Sequence, residues 1–320
     1  MAGELSGGLS PRDNIAVVRP IDSHVHLYPP EVNGDPAAWA EANGERRWSE
    51  LCTRRRRDGR CVQGFPSVDG LLRSLDRAGV ERAVLLGWYW ENPGNCERQN
   101  RFYAECVRLH PDRLSGFATM HPGAGSAAIG EEIRRACGEG LAGLGELSPH
   151  AQGFPIADRV WGEALELAAQ FRLPVTLHVT DPDGRAYPGR IATPLGDFLK
   201  IAREFPRTSF ILAHWGGLLP LRHPEAAALP NLRYDTAASP LLYDAGIWRR
   251  FEALAGRGKV LFGSDFPLNL YPALESEPEI GRLVSEAGSS GLGDGERDAL
   301  LRGNAEALLG LRRGSAGRDL

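Results

Sequence analysis

Four of the chain's eight histidines close short apolar runs, a placement that buried strands leading into a shared site would produce. His24 and His26 flank Val25 at the end of the first such run. Residues two apart on a strand point to the same side, so both imidazoles can face one ion. His178 ends the run Pro-Val-Thr-Leu-His, His214 ends Phe-Ile-Leu-Ala-His, and Asp265 stands in Leu-Phe-Gly-Ser-Asp-Phe-Pro. Imidazole nitrogens joined by a carboxylate oxygen suit Zn²⁺ and also accept Mn²⁺. One His-X-His pair is weak evidence for a metal. Buried ionisable groups are costly unless paired or metal-bound, however, and here they recur at separate strand ends.

Those side chains need a scaffold that gathers strand ends. Eight β-branched or apolar runs occur, over residues 17–26, 82–87, 114–119, 142–147, 175–179, 209–214, 232–236 and 259–263. Helical patterns lie between them. Ser67 is placed to cap a helix that presents Leu71, Leu72 and Leu75 on one face and stops at Gly79. Ser126 opens a segment with Ile129 and Ile133 four apart, and Thr193 before Pro194 reads as a cap with proline at the first helical position. Alternating strands and helices predict a parallel sheet, and eight units match the α/β class as a closed (β/α)₈ TIM barrel, with catalytic groups at the strands' C-terminal ends.

The expected organisation is a disordered leader over 1–11, one barrel domain over 12–311, and a frayed tail over 312–320. Residues 28–66, rich in Trp, Arg and Pro, exceed an ordinary strand-to-helix loop and are expected to act as a lid between the first strand and first helix. A last helix over 295–311 would pack outside the barrel.

Composition narrows the function. Lys plus Arg number 37 against 41 Asp plus Glu, giving a net charge of −4, which argues against a nucleic-acid partner. A mean hydropathy of −0.28 and the lack of a long apolar run argue against a membrane span. The five cysteines are odd in number and scattered, so ordinary thiols in a reducing cytoplasm are expected. A small-molecule substrate is the expected partner, with a homo-oligomer left open.

The chain resembles the amidohydrolase superfamily, in the branch known as amidohydrolase 2. The likeness runs from Ile21-Asp22-Ser23-His24-Val25-His26 through Gly145-Glu146, Leu177-His178, Ala213-His214-Trp215-Gly216-Gly217 and Gly263-Ser264-Asp265-Phe266-Pro267 to Gly303-Asn304-Ala305-Glu306. The resemblance implies that His24, His26, His178 and Asp265 bind one divalent metal, zinc first and manganese second. It implies that His214 stands beside the metal to polarise substrate or assist proton transfer. Glu146, at the end of the fourth strand, would be either a further ligand or a hydrogen-bond partner of one. Asp22 would orient an imidazole.

A metal there lowers the pKa of bound water from 15.7 toward roughly 7 and polarises a carbonyl, which suffices for hydrolysis. The first reading is therefore hydrolysis of a C–O or C–N bond in a lactone or amide, with Asp265 taking the water proton and passing it to the leaving group. The second is nonhydrolytic decarboxylation of an aromatic or unsaturated acid, known in the same branch. The third is an inactive barrel that binds a ligand. Trp88, Trp90, Trp215 and His121 follow strand ends and are candidates to line the substrate pocket, as is the neighbouring Tyr89. The run Arg54 to Arg57 with Arg60 either steers an anion or lies solvated.

Overall fold

A computed structural model describes residues 18–311, so the expected leader and tail lie outside the described residues. Eight parallel strands follow one another around a single sheet in sequence order. They are β1 (Ile21–Val25), β2 (Arg82–Leu86), β3 (Leu114–Ala118), β4 (Gly143–Leu147), β5 (Val175–Leu177), β6 (Phe210–Leu212), β7 (Leu232–Asp235) and β8 (Val260–Leu261). Every residue of β1, β3 and β4 is buried. That is the signature of strands covered on both faces, which read as continuous apolar runs rather than alternating ones. The ring closes where the Ser23 amide donates to the Phe262 carbonyl at 2.8 Å and Val25 bridges Phe266. The (β/α)₈ barrel is thus the fold of the chain.

The strands are shorter at their C-terminal ends than the apolar runs. β5 stops at Leu177, β6 at Leu212 and β8 at Leu261, so His178, His214 and Asp265 stand just beyond the ladder. The regular ladder ends near there, with single bonds such as His178 amide to Leu147 carbonyl, 2.9 Å, and Asp265 amide to His24 carbonyl, 2.9 Å, fixing where each side chain is aimed.

The helix Val68–Ala78 forms as its sequence predicts. Ser67 Oγ accepts from the Gly70 amide at 3.2 Å, Leu71 and Leu75 are buried, and Gly79 closes the helix at φ 69°. The helix Ser126–Gly138 also begins where expected. The helix Leu195–Glu204 does not take the cap predicted for it. Pro194 occupies the position before its first residue, and Thr193 Oγ1 accepts instead from the Thr180 amide at 2.7 Å, tying down the loop after β5. The expected last helix is broken: Asp294–Asp298 and Asn304–Leu309 are joined by a wider π turn over Ala299–Gly303.

The insertion after β1 folds into three short helices, Pro30–Gly34, Pro36–Asn43 and Arg46–Cys52. Tyr28, Trp39, Trp48, Phe65 and Trp90 pack into a small core of their own, with ring centroids 5.1–6.0 Å apart. Glu45, fully buried, fastens this core to the loop after β2. Its carboxylate accepts from the amides of Glu91 and Asn92 at 2.8 and 3.0 Å and from Asn95 Nδ2 at 2.7 Å. Hydrogen bonds to a charged group contribute about 1.5–3 kcal/mol each; burial still outweighs them and leaves the Glu45 carboxyl above its ordinary pKa. All five cysteines are free, and among the described residues no helix is long and apolar enough to cross a membrane.

Candidate metal centre

The imidazoles of His24 and His26 meet at the barrel mouth with their Nε2 atoms 3.2 Å apart. What fixes them is on their other side. His24 Nδ1 lies 2.9 Å from Asp235 Oδ2, and His26 Nδ1 lies 3.0 Å from the Leu86 carbonyl. A carbonyl only accepts, so His26 Nδ1 carries a proton and the lone pair of a neutral ring is at Nε2. The Asp235 carboxylate imposes the same tautomer on His24. Two lone pairs at 3.2 Å repel unless a proton or a metal ion lies between them.

Two carboxylates complete the surroundings. Glu146 Oε2 is 3.6 Å from His26 Nε2 and 3.9 Å from His24 Nε2, and Asp265 Oδ1 is 3.5 and 3.7 Å from the same atoms. Glu146 also faces the second histidine pair: its Oε1 is 2.9 Å from His178 Nδ1 and 3.5 Å from His214 Nε2. Ligand atoms of His24, His26 and Glu146 are close enough to share one ion, and so are those of Glu146, His178 and His214. The donor set therefore fits a divalent metal, with Glu146 common to both groups.

The electrostatics agree with that chemistry. Burial alone would lower the His24 pKa, but the Asp235 carboxylate, with Glu146 and Asp265 beyond it, outweighs this and pushes it up to about 10. Burial would raise Glu146, yet its contacts with His178, His214 and His26 hold it well below the usual carboxylate range. His214 is lowered by burial and raised further by Glu146 and Asp265, ending above its ordinary value. Without a metal, positive charge arrives as protons on imidazole; a metal would replace them.

Asp235 is the residue that the sequence reading missed. Besides His24, it accepts from the amides of His214 and Ala237, each at 3.0 Å, so one buried carboxylate positions two of the histidines. It ends β7 in Leu-Arg-Tyr-Asp, the same strand-end signal that marked the others. Asp22 does not take the expected role. Its Oδ1 accepts from the amides of His24 and Ser264 at 3.2 and 2.9 Å, so it holds two strand-end backbones together rather than an imidazole.

His214 opens a left-handed turn in which φ stays between 55° and 61° through Leu218. Gly216 and Gly217 serve this turn, because a Cβ on Gly216 would lie 2.6 Å from the Tyr234 ring and one on Gly217 3.0 Å from Val179. Asp265, at φ 68°, is likewise turned back so that its amide donates to the His24 carbonyl at 2.9 Å. Residues held in this sparsely populated region cost of order 1–3 kcal/mol and persist where their surroundings fix them.

The pocket candidates separate. The Trp88 ring lies 5.2 Å from His26 and stacks at 4.4 Å on Tyr89, whose ring is 5.3 Å from His178. Trp90 turns into the insertion core and donates to Gln99 at 2.6 Å. Trp215 turns into the helical layer, against Trp248 and Phe251, and donates to Ser239 at 3.0 Å. His121 accepts from the Gly123 amide and packs on Phe154, and burial lowers its pKa. The structure thus brings Trp88 and Tyr89, and not Trp90, Trp215 or His121, against the histidine cluster.

Comparison with known proteins adds a family to this geometry. The amidohydrolase family profile matches residues 21–311, and the chain belongs to that family. Among solved structures it is similar to 5-carboxyvanillate decarboxylase from Sphingomonas paucimobilis, with 16% identity, a TM-score of 0.69, and coverage of 92% of this chain and 100% of the other. The 2,6-dihydroxybenzoate decarboxylase from Rhizobium gives 18%, 0.63, 92% and 99%. A dihydroxybenzoic acid decarboxylase from Polaromonas sp., solved with manganese and the inhibitor 2-nitroresorcinol, gives 18%, 0.63, 92% and 98%. At such identities the likeness establishes the fold. Comparison with curated proteins finds no match.

Proposed function

From membership of the amidohydrolase family, we propose that this chain is a metal-dependent decarboxylase of a small aromatic carboxylic acid. The observation that carries the proposal is the Trp88–Tyr89 stack, set against His26 on one side and His178 on the other, which puts aromatic rings beside a donor set that fits a divalent metal. The decarboxylases that share the fold, acting on dihydroxybenzoate and carboxyvanillate, support it.

His24, His26 and Asp265 would hold the ion, with Glu146 shared between them and His178. Bound there, a divalent metal would supply Lewis-acid charge to the substrate's carboxylate and an adjacent ring oxygen. Nitrogen and carboxylate donors suit zinc or manganese; the manganese in the Polaromonas structure favours manganese. Trp88 and Tyr89 would orient the ring. Asp265, whose side chain is 15% exposed, would take a proton from solvent and pass it to the ring carbon as the bond to the carboxyl group breaks. That electron pair forms the new C–H bond, and CO₂ departs.

The insertion, anchored through Glu45, would serve as a wall more than a swinging lid. Arg54, with its guanidinium over the Tyr187 ring at 5.9 Å and no ion pair among the described residues, would draw the anion in. Hydrolysis, the first expectation from the residues, is the second reading: the same Asp265 carboxylate, 3.5 Å from His26 Nε2, could take a proton from water.

Metal-loaded protein incubated with hydroxybenzoic acids, lactones and amides separates the two. Release of CO₂ with formation of the decarboxylated phenol supports the proposal, and ring-opened or cleaved products without CO₂ overturn it.

A further inference from the structure

The helix Val68–Ala78 has two occupied faces. Leu71 and Leu75 enter the barrel core, while Gly70, Arg73, Ser74 and Arg77, spaced three and four residues apart, line a cleft on the other side. The cleft runs between this helix and the returning end of the insertion and encloses about 610 Å³, within the range of small-molecule sites. None of the six His, Glu and Asp side chains of the metal centre lines it.

Its chemistry is consistent from wall to wall. Phe65 and Phe266 give it an apolar side. Gly70 keeps it open, since a Cβ there would meet Pro66 at 3.1 Å. Of the charged groups, Arg60, Arg73 and Arg77 line it against one carboxylate, Glu277. Arg60 is engaged by Asp58 at 2.7 Å, and Arg77 Nε stands 3.5 Å from Glu279 and donates to Ser74 Oγ through its terminal nitrogen. Arg73 has no ion pair among the described residues. Gln63, 8% exposed, also lines the cleft, with its amide turned to the buried Tyr28 hydroxyl. A guanidinium without an anion, four residues from a second one on the same cleft wall, suits an oxyanion.

We infer that this cleft is a second ligand site, for a small organic anion whose apolar body rests on Phe65 and Phe266 and whose phosphate or carboxylate is held by Arg73 and Arg77. It stands apart from the metal centre but is wired to it. The Phe266 carbonyl accepts from the His26 amide at 2.6 Å, and Phe266 follows Asp265 directly. The site is therefore placed for an effector rather than for substrate.

Phenyl phosphate titrated calorimetrically into the metal-loaded full-length chain, into Arg73→Glu and Arg77→Glu, and into His178→Ala tests the site. Saturable binding weakened at least ~10-fold by either arginine change, about 1.4 kcal/mol or more, and left within ~2-fold by His178→Ala, is the expected result. Sodium benzoate in the same titrations distinguishes a carboxylate from a phosphate head. Arg73 is exposed, so its variants should keep the wild-type melting temperature, and Arg73→Ala provides a milder second variant. Binding lost only in His178→Ala, binding equal in all four proteins, or no saturable heat at millimolar probe would overturn the inference.

Discussion

The metal centre and the insertion core lie on the same end of the barrel and are built in opposite ways. At the centre, each ring nitrogen facing away from the site has a fixed partner, Asp235 for His24, Leu86 for His26 and Ala237 for His214, and the remaining donors converge on one point. In the insertion, Tyr28, Trp39, Trp48 and Trp90 converge on one another, in a cluster whose edge toward the centre is Trp88 and Tyr89. Strand ends aim side chains because the ladder fixes the backbone before them. A loop of short helices aims its rings only at whatever apolar surface it can bury. Polar residues at strand ends are therefore good guides to a site, while the aromatics near them divide: Trp88 and Tyr89 reach the histidines, and Trp90 and Trp215 turn away.

That contrast can be broken by substitution. Asp265→Asn should cut turnover about 10²–10⁴-fold, the range for a lost general acid or base, while the protein still folds; steady-state rates on the compound that the product screen identifies decide it, and wild-type turnover would remove Asp265 from the chemistry. In the other region, Trp48→Ala should cost about 3–5 kcal/mol of stability, the usual penalty for emptying a large aromatic site. Denaturant melts would show the loss while metal content stays at the wild-type level, and depleted metal would mean that the two regions are not separate.

Asp235→Asn sharpens the comparison from within the centre. A lost partner behind a ligating histidine lowers metal affinity about 10–100-fold, so a competition titration against a chelator should show a shift of that size; the metal-free protein should also melt lower, because the buried pair with His24 is broken.

The smallest effect belongs to neither region. Glu252, in the helix Ile247–Ala255, is buried with an Oε2 that has no partner, and burial pushes its carboxyl from 4.5 to about 7. The folded chain thus binds a proton that the unfolded chain releases. This contribution to stability is complete below pH 4.5 and fades as the pH rises through 7. Glu252→Gln should be more stable than wild type at pH 8 and indistinguishable at pH 4 in paired melts; a constant gap would assign the effect to packing.

Much of this was legible in the residues. The apolar runs predicted all eight strands, and the positions at or just past their ends held His24, His26, His178, His214 and Asp265. Asp235 carried the same signal at the end of β7, but an aspartate inside Tyr-Asp-Thr has no motif around it, and its partner His24 is 211 residues away. The split of the last helix left no trace, because a π turn changes hydrogen bonding without changing which residues are apolar. Trp215 was misleading for a physical reason: the left-handed turn that brings His214 inward sends the next side chain outward.

The most direct test of the metal centre is the metal content of protein purified without chelator. Elemental analysis should find about one equivalent of a divalent transition metal per wild-type chain, by the ligand set on which the site is built. A His24→Ala, His26→Ala double variant that folds but holds only a trace is the predicted counterpart. A wild-type chain that neither retains nor takes up manganese or zinc, or a double variant that binds as much as wild type, would contradict the account.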